Sequence, residues 1–449
     1  MIAPGRVAAY EILTAVSASS ADLPTAIAFA RARLGDDRDR ALAEDIAIGV
    51  QRWRAALDHL IVHFSKRALE RIDPEVVEIL RLSAYQLLYL TRVPAAAAVD
   101  DAVDLAGRAG KRSAAGFVNA VLRTISRNRD ALPLPQRPRP DDRQAALDYF
   151  SITLSHPRWL AARWYDRFGF DATERWLQFN DSPAPLTLRA NRLRMTPGEL
   201  IGRLADDGVR TRPSRFAPDA FIVEEGYPLR GKGLDEGWFV VQDEASQLVA
   251  LLAGPDPGRR VLDTCASPGG KTTALAARLH NDGLLVACDV RSRRIELLRK
   301  TVRVSGANAH LVQADLLEPL PFSILFDCVL VDAPCSGLGT LRRDPDVKWK
   351  RRESDLTTFA EAQRVMLQHA SEVVAARGRL IYATCSSEPE ENEAVVDAFR
   401  NSTPGFAQID LRSADNALPA DVVDDQGYLR TYPHRHGLEA FFGAVFVRR

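Results

Sequence analysis

Val261-Leu262-Asp263-Thr264-Cys265-Ala266-Ser267-Pro268-Gly269-Gly270-Lys271-Thr272 is the stretch on which the fold of this chain turns. A short apolar run ends in an acid, passes through a turn with a glycine pair, and enters a segment over 273–279 with helical apolar spacing. Glycines between a strand and a helix let backbone approach a ligand closely and present the helix N-terminus to it. Two phosphate-binding readings fail. A Walker A loop needs glycine five positions before Gly270, where Cys265 stands, and no Gly-x-Gly-x-x-Gly follows the strand.

The same alternation continues on either side. Strands are expected over 260–264, 284–288, 310–313, 326–331 and 379–383, and helices over 273–279, 292–304, 356–376 and 391–399. This βα order predicts an α/β domain over 235–449 with a parallel, doubly wound sheet, whose ligands bind beyond the carboxyl ends of the strands. Upstream, residues 1–132 carry apolar positions at three- and four-residue spacing and read as an all-α bundle. Pro133, Pro135, Pro138 and Pro140 then mark a stiff linker. A small α+β connector is expected over 143–232, helical first and strand-like at 186–191 and 221–223.

At 449 residues, about two to four domains are expected. Hydrophobic residues are 46% and charged residues 26%, the balance of a globular protein, so disordered, collagenous and coiled-coil readings are poor. Lys+Arg and Asp+Glu are both 59, so total charge says nothing about a nucleic-acid partner. Local charge does. Residues 105–139 hold eight basic side chains (Arg108, Lys111, Arg112, Arg123, Arg127, Arg129, Arg137 and Arg139) against Asp130 alone. Many such runs are solvated helix faces. This concentration in a balanced chain favours an RNA phosphate-contacting surface, with Arg123, Arg127 and Arg129 as candidates.

The five cysteines, Cys265, Cys288, Cys328, Cys335 and Cys385, show no Cys-x-x-Cys spacing. No metal site and no disulfide framework are expected. Without a signal-peptide core or an apolar run of about 18 residues, a soluble cytoplasmic protein with no membrane partner is expected.

Each expected strand ends in polar or reactive residues. The second ends at Asp289, 19 residues beyond Gly270 and placed for a ribose diol; the third ends at Asp315, suited to the exocyclic amine of adenine. Singly, each aspartate would suit a helix N-cap. At successive strand ends they favour a nucleoside site without a pyrophosphate cradle, and so S-adenosylmethionine over NAD or ATP. The fourth and fifth strands end in Asp332-Ala333-Pro334-Cys335 and Thr384-Cys385-Ser386. A free cysteine is usually a small buried hydrophobe, which suits Cys288 and Cys328 inside strands. Cys335 and Cys385 sit just past strands, where a thiol can meet substrate. Carbon 5 of a pyrimidine is a poor nucleophile until a thiolate adds at carbon 6, and a second acid/base group helps the later elimination. A carboxylate such as Asp332 can hydrogen-bond the ring amine. The residue set fits cytosine C5 methylation.

These motifs resemble those of the NOL1/NOP2/Sun RNA cytosine-5 methyltransferases: 263–272, Asp332-Ala333-Pro334-Cys335-Ser336-Gly337, Thr384-Cys385-Ser386, Arg342-Arg343-Asp344-Pro345-Asp346-Val347-Lys348-Trp349, Glu390-Glu391-Asn392-Glu393, Arg189-Ala190-Asn191 and 237–248. Leu80–Leu88 and Gly116–Arg123 resemble a NusB-type RNA-binding domain. Together they resemble the RsmB-type (Fmu/Sun) branch of the family, which methylates small-subunit (16S) rRNA. The resemblance implies a Rossmann-like S-adenosylmethionine-dependent domain behind a NusB-like bundle, with Cys385 as nucleophile and Cys335 assisting product release. DNA cytosine methyltransferases use the Pro-Cys thiol instead, which keeps the reverse assignment open. It also implies that Cys265, Ala266, Ser267, Pro268, Gly269, Gly270, Lys271, Asp289, Asp315 and Asp332 surround the cofactor, with Asp332 also near the cytosine. Arg189 and Asn191 join the expected RNA contacts, and a monomer is expected. A tRNA-directed enzyme of the same chemistry, and a NusB-type RNA-binding or transcription factor, are the alternatives. Three departures from the family pattern stand out: Ser267 for alanine, Ser387 for an aliphatic residue, and Glu439-Ala440-Phe441-Phe442 for Asp-Gly-Phe-Phe.

Overall fold

The computed structural model describes residues 2–413 and 417–449. The chain forms two compact units, Met1–Pro183 with Leu341–Arg351, and Ala184–Thr340 with Arg352–Arg449. The boundary at 183/184 falls inside the stretch expected as a connector, between its helices and its strands.

In the first unit, helices Pro4–Ser17, Leu23–Arg33, Asp37–Ser65, Pro74–Tyr89, Ala95–Arg108 and Ala115–Arg127 share one core that includes Leu13, Ile46, Val50, Leu80, Leu105 and Leu122. Pro4, Pro24 and Pro74 take the first or second helical position, where an N–H would have no intrahelical partner anyway. Gly49 lies against the Tyr85 ring, and a Cβ there would stand 1.9 Å from it. Only glycine lets Asp37–Ser65 approach Pro74–Tyr89 this closely. Helices Arg143–Asp148, Arg158–Phe168 and Phe170–Asp181 follow, the last two joined by the stacked rings of Trp164 and Trp176, 4.4 Å between centroids.

Leu341–Arg351 completes this unit through the short helix Val347–Lys350. Lys348 is 1% exposed. Its Nζ donates to the Arg52 carbonyl at 2.9 Å and stands 3.6 Å from Asp181 Oδ1. Trp349 Nε1 donates to the Gln51 carbonyl at 2.7 Å, and Arg342 lies over the Phe179 ring at 4.3 Å. Burial pushes the Asp181 carboxyl up and pulls the Lys348 ammonium down from their ordinary values, because lost hydration outweighs the attraction between them.

The basic stretch has more acidic neighbours in space than along the chain. Lys111 reaches Asp73 at 3.1 Å and Glu75 at 3.4 Å, Arg108 reaches Glu11 at 3.7 Å, and Arg137 reaches Glu174 at 2.8 Å. Helix packing brings in acids that lie far off in sequence. Arg123, Arg127 and Arg129 stay exposed; the first two bond within their own helix, and Arg129 lies 3.8 Å from Asp130.

In the second unit, β1 (Thr187–Ala190), β2 (Arg210–Pro213), β3 (Ala220–Glu225) and β4 (Phe239–Val241) form an antiparallel sheet in the order β2-β3-β1-β4. A second sheet joins β5 (Arg260–Asp263), β6 (Leu284–Asp289), β7 (His310–Gln313), β8 (Phe326–Asp332), β9 (Val374–Thr384), β10 (Phe406–Gln408) and β12 (Phe442–Arg448) in the order β10-β12-β9-β8-β5-β6-β7, with β11 (Leu429–Arg430) beside β12. Strands β5 to β9 pair in parallel as expected. The antiparallel β10, β11 and β12 make the sheet mixed.

Alternate residues of β8 and β9 feed two cores. Val329, Val331, Leu380 and Tyr382 pack with Ala360, Leu367 and Phe399 on one face. Cys328, Leu330, Ile381 and Ala383 pack with Leu248 and Leu275 on the other. Helices on both faces bury strands that read as continuous apolar runs. The helix expected over 356–376 ends at Glu372, and β9 begins at Val374 rather than 379. Its apolar run suits either period, and backbone pairing of Val374 with Phe326 decides for strand. The chain runs outward from β5 through β6 to β7, then returns to β8 on the opposite side of β5. The order therefore reverses between β5 and β8, where a doubly wound sheet opens its ligand crevice. No described helix is long and apolar enough to cross a membrane.

Candidate active site

Strand β5 delivers Asp263 to the switch point with no exposed surface. One carboxylate oxygen accepts from Thr272 Oγ1 at 2.7 Å, while Oδ1 has no partner. Burial pushes this carboxyl up to about 7. The following loop is tied across the sheet: Thr264 N–H donates to the Leu330 carbonyl at 3.0 Å, and Ala266 N–H to that of Cys288 at 2.9 Å. Gly269 has φ +105°, and a Cβ there would come within 2.9 Å of Leu298. Glycine is required for the loop to turn into helix Gly270–Arg278.

At the tip of β6, Asp289 is 3% exposed. It accepts from Ser267 N–H at 3.2 Å and Val290 N–H at 2.9 Å, so it braces the β5 loop. Asp315, past β7, is exposed and accepts from Leu317 N–H at 2.9 Å. At the end of β8, Asp332 pairs with Lys271 Nζ at 2.6 Å, their side chains 25% and 12% exposed. Burial alone would lower the Lys271 ammonium; the Asp332 charge and hydrogen bond outweigh it and hold it above its ordinary value.

Strands β8 and β9 run side by side with Asp332 opposite Ala383. Their tips therefore bring Cys335 and Cys385 together, Sγ to Sγ at 3.1 Å. The hydrogen bond to Cys385, then burial, raise the Cys335 thiol well above its ordinary value. Cys288 and Cys328 are buried within strands, and burial pushes both thiols up to about 12. Burial likewise raises Cys265 in the loop.

Arg189 and Asn191 face inward, contrary to the RNA contacts expected of them. Arg189, on β1, is 5% exposed. Its guanidinium donates to Gln242 Oε1, to the Gly270 carbonyl at 2.5 Å and to Thr273 Oγ1 at 2.6 Å. Asn191 Nδ2 donates to the carbonyls of Gly237 at 2.7 Å and Ser305 at 2.8 Å. They brace the first turn of Gly270–Arg278 and the end of helix Ser292–Ser305.

Sequence reasoning missed the support beneath the thiols. Glu391 is fully buried, accepting from Ser336 and Ser386, the residues that follow the two cysteines. Glu391 lies in a recognised motif, but its carboxylate's partners are 55 and 5 residues away, and only strand pairing converges them. Among the described residues, no group of three His, Cys, Asp or Glu could hold a metal ion.

A family model described as 16S rRNA methyltransferase RsmB/F matches residues 250–447. A NusB family model matches 4–127, and an RsmF/B-like ferredoxin-like domain matches 156–230. The ribosomal RNA small subunit methyltransferase B of Pseudomonas putida is 34% identical over 409 residues, covering 90% of this chain and 91% of that protein. Its namesake in Pseudomonas syringae pv. tomato is 32% identical over 450 residues, covering 99% and 96%. The crystal structure of PH0851 superposes over 99% of both chains with a TM-score of 0.82 at 26% identity. Relatives above 30% identity along nine-tenths of both chains, and the thiol pair set at the tips of a Rossmann-like sheet, place this protein in the RsmB/F methyltransferase family, with a NusB-family domain at its N-terminus.

Proposed function

We propose that this protein methylates carbon 5 of a cytosine in small-subunit (16S) rRNA, using S-adenosylmethionine and a covalent adduct between Cys385 and carbon 6. The observation that carries the reading is the pair of thiols 3.1 Å apart beside the Lys271–Asp332 ion pair. The names of the relatives support the rRNA target. The cofactor site fits: a buried Asp263 with an unpartnered oxygen, a glycine-turned loop over 265–271, and Asp289 and Asp315 at neighbouring strand ends. S-adenosylmethionine, when bound, supplies an electrophilic methyl group.

The Cys385 thiol stands at the tip of β9, 3.1 Å from the Cys335 sulfur. Its sulfur bonds to carbon 6, and the ring's electron pair moves to carbon 5, which takes the methyl. The carbon 5 proton then leaves to water, the carbon–sulfur bond breaks, and the Cys385 thiolate returns. The protonated Cys335, 3.1 Å from Cys385, is placed to hydrogen-bond that departing sulfur as its thiolate re-forms. Asp332 holds Lys271 and faces the ring amine. Incubating the purified protein with 16S rRNA, with tRNA and with neither, then mapping 5-methylcytosine, tests the reading. Methylation of tRNA alone would overturn the 16S assignment.

Two further outcomes follow from the same reading. Asp289→Ala should weaken S-adenosylmethionine binding by about 1.5–3 kcal/mol, roughly 10- to 150-fold, since it removes charge-assisted hydrogen bonds. Wild-type affinity by calorimetry would count against the ribose role. Replacing Arg123, Arg127 and Arg129 together with alanine should lower the salt slope of RNA binding by up to about 2 and leave cofactor binding intact. An unchanged slope would remove these arginines from the RNA surface.

A further inference from the structure

Glu391 is a buried carboxylate with no ion-pair partner among the described residues, held instead by four hydrogen bonds. Its Oε1 accepts from Ser336 N–H at 2.7 Å and Gln363 Nε2 at 3.1 Å. Its Oε2 accepts from the hydroxyls of Ser336 and Ser386, each at 2.5 Å. The two hydroxyls are themselves 3.2 Å apart. Tyr382 on β9 donates to the Glu391 carbonyl at 2.6 Å, which pins the backbone from the other side. Ser336 and Ser386 are the immediate successors of Cys335 and Cys385. One carboxylate thus ties the loop after β8 to the loop after β9 at the residues next to the reactive sulfurs.

We propose that Glu391 is a positioning residue that ties the two thiol-bearing loops together and sets the spacing of Cys335 and Cys385, its charge standing beside Cys335. The inference rests on the two-thiol reaction proposed above. Burying a carboxylate is costly unless its hydrogen bonds are satisfied, and charge-assisted bonds to backbone and hydroxyl donors are the strong kind. Such a group fixes both loops more tightly than apolar packing would. Its charge also acts on Cys335. The titratable groups facing Cys335 are Cys385, Glu391 and Tyr382, with Arg364 near Tyr382 and the Lys271–Asp332 pair on the Cys385 side. Glu391 opposes a thiolate at Cys335.

Two variants test this in the full-length protein. Glu391→Ala removes the tie, and turnover should fall about 100-fold, the scale of a displacement near 1 Å in a reacting group, with KM for RNA within twofold. Glu391→Gln keeps the volume, and the rotatable hydroxyls of Ser336 and Ser386 can accept from its amide. It should retain turnover within tenfold of wild type. With the charge gone, the midpoint for alkylation of Cys335 by iodoacetamide, followed by peptide mass spectrometry, should fall by about one pH unit. Wild-type turnover in Glu391→Ala, or an unmoved Cys335 midpoint in Glu391→Gln, would overturn the proposal. If Glu391→Ala does not fold, the Gln variant alone decides. The alkylation arm uses no RNA, so loss of the assigned RNA substrate would leave this inference standing.

Discussion

Cys385→Ala is expected to abolish both methyl transfer and the covalent protein–RNA adduct, a fall of roughly 10⁴-fold or more, the scale of deleting a nucleophile. Without addition at carbon 6, carbon 5 stays unreactive. Cys335→Ala is expected to behave differently. It can still add and transfer methyl, but with elimination slowed it should accumulate a crosslink that survives denaturing electrophoresis. The sulfurs stand 3.1 Å apart, so position alone does not separate their roles, and this comparison does. A crosslink that builds up in Cys385→Ala and not in Cys335→Ala would move the nucleophile to the Pro-Cys position.

Lys348→Ala is expected to destabilise the helical unit by about 3–5 kcal/mol, the cost of removing one partner from a buried ion pair. Asp181 would be left buried, its carboxylate oxygens already without hydrogen-bond partners and its Lys348 charge partner gone. The Arg52 carbonyl would lose the Nζ that bonds it. Five of the six tryptophans, Trp53, Trp159, Trp164, Trp176 and Trp349, belong to this unit, so urea unfolding followed by tryptophan fluorescence reports on it directly. A double variant, Lys348→Met with Asp181→Asn, should recover much of the loss, because no charge is then stranded. An unshifted midpoint in Lys348→Ala would show that the pair contributes nothing.

Much of the catalytic unit was legible in the chain alone. The turn over 263–272 needs only local residues: an apolar run, an acid, and glycines that permit a positive φ. The parallel core followed from apolar runs alternating with helices. The antiparallel β10 and β11 did not, since β11 is two residues long and β10 three, too short to carry a period.

Residue type and spacing along the chain located two thiols, a glycine-turned loop and aspartates at successive strand ends. Which groups touch was decided only in three dimensions. Lys271 meets Asp332 across 61 residues, and Glu391 gathers Ser336 from 55 residues away. Arg189 and Asn191 turn inward to brace helices. The excess of basic charge over 105–139 is reduced by Glu11, Asp73, Glu75 and Glu174, and Lys348 joins the helical unit rather than the sheet that flanks it in sequence. The physical reason is common to all of these. Charges and hydrogen-bonding groups act over a few ångströms, and strand order and helix packing, not distance along the chain, determine which of them come that close.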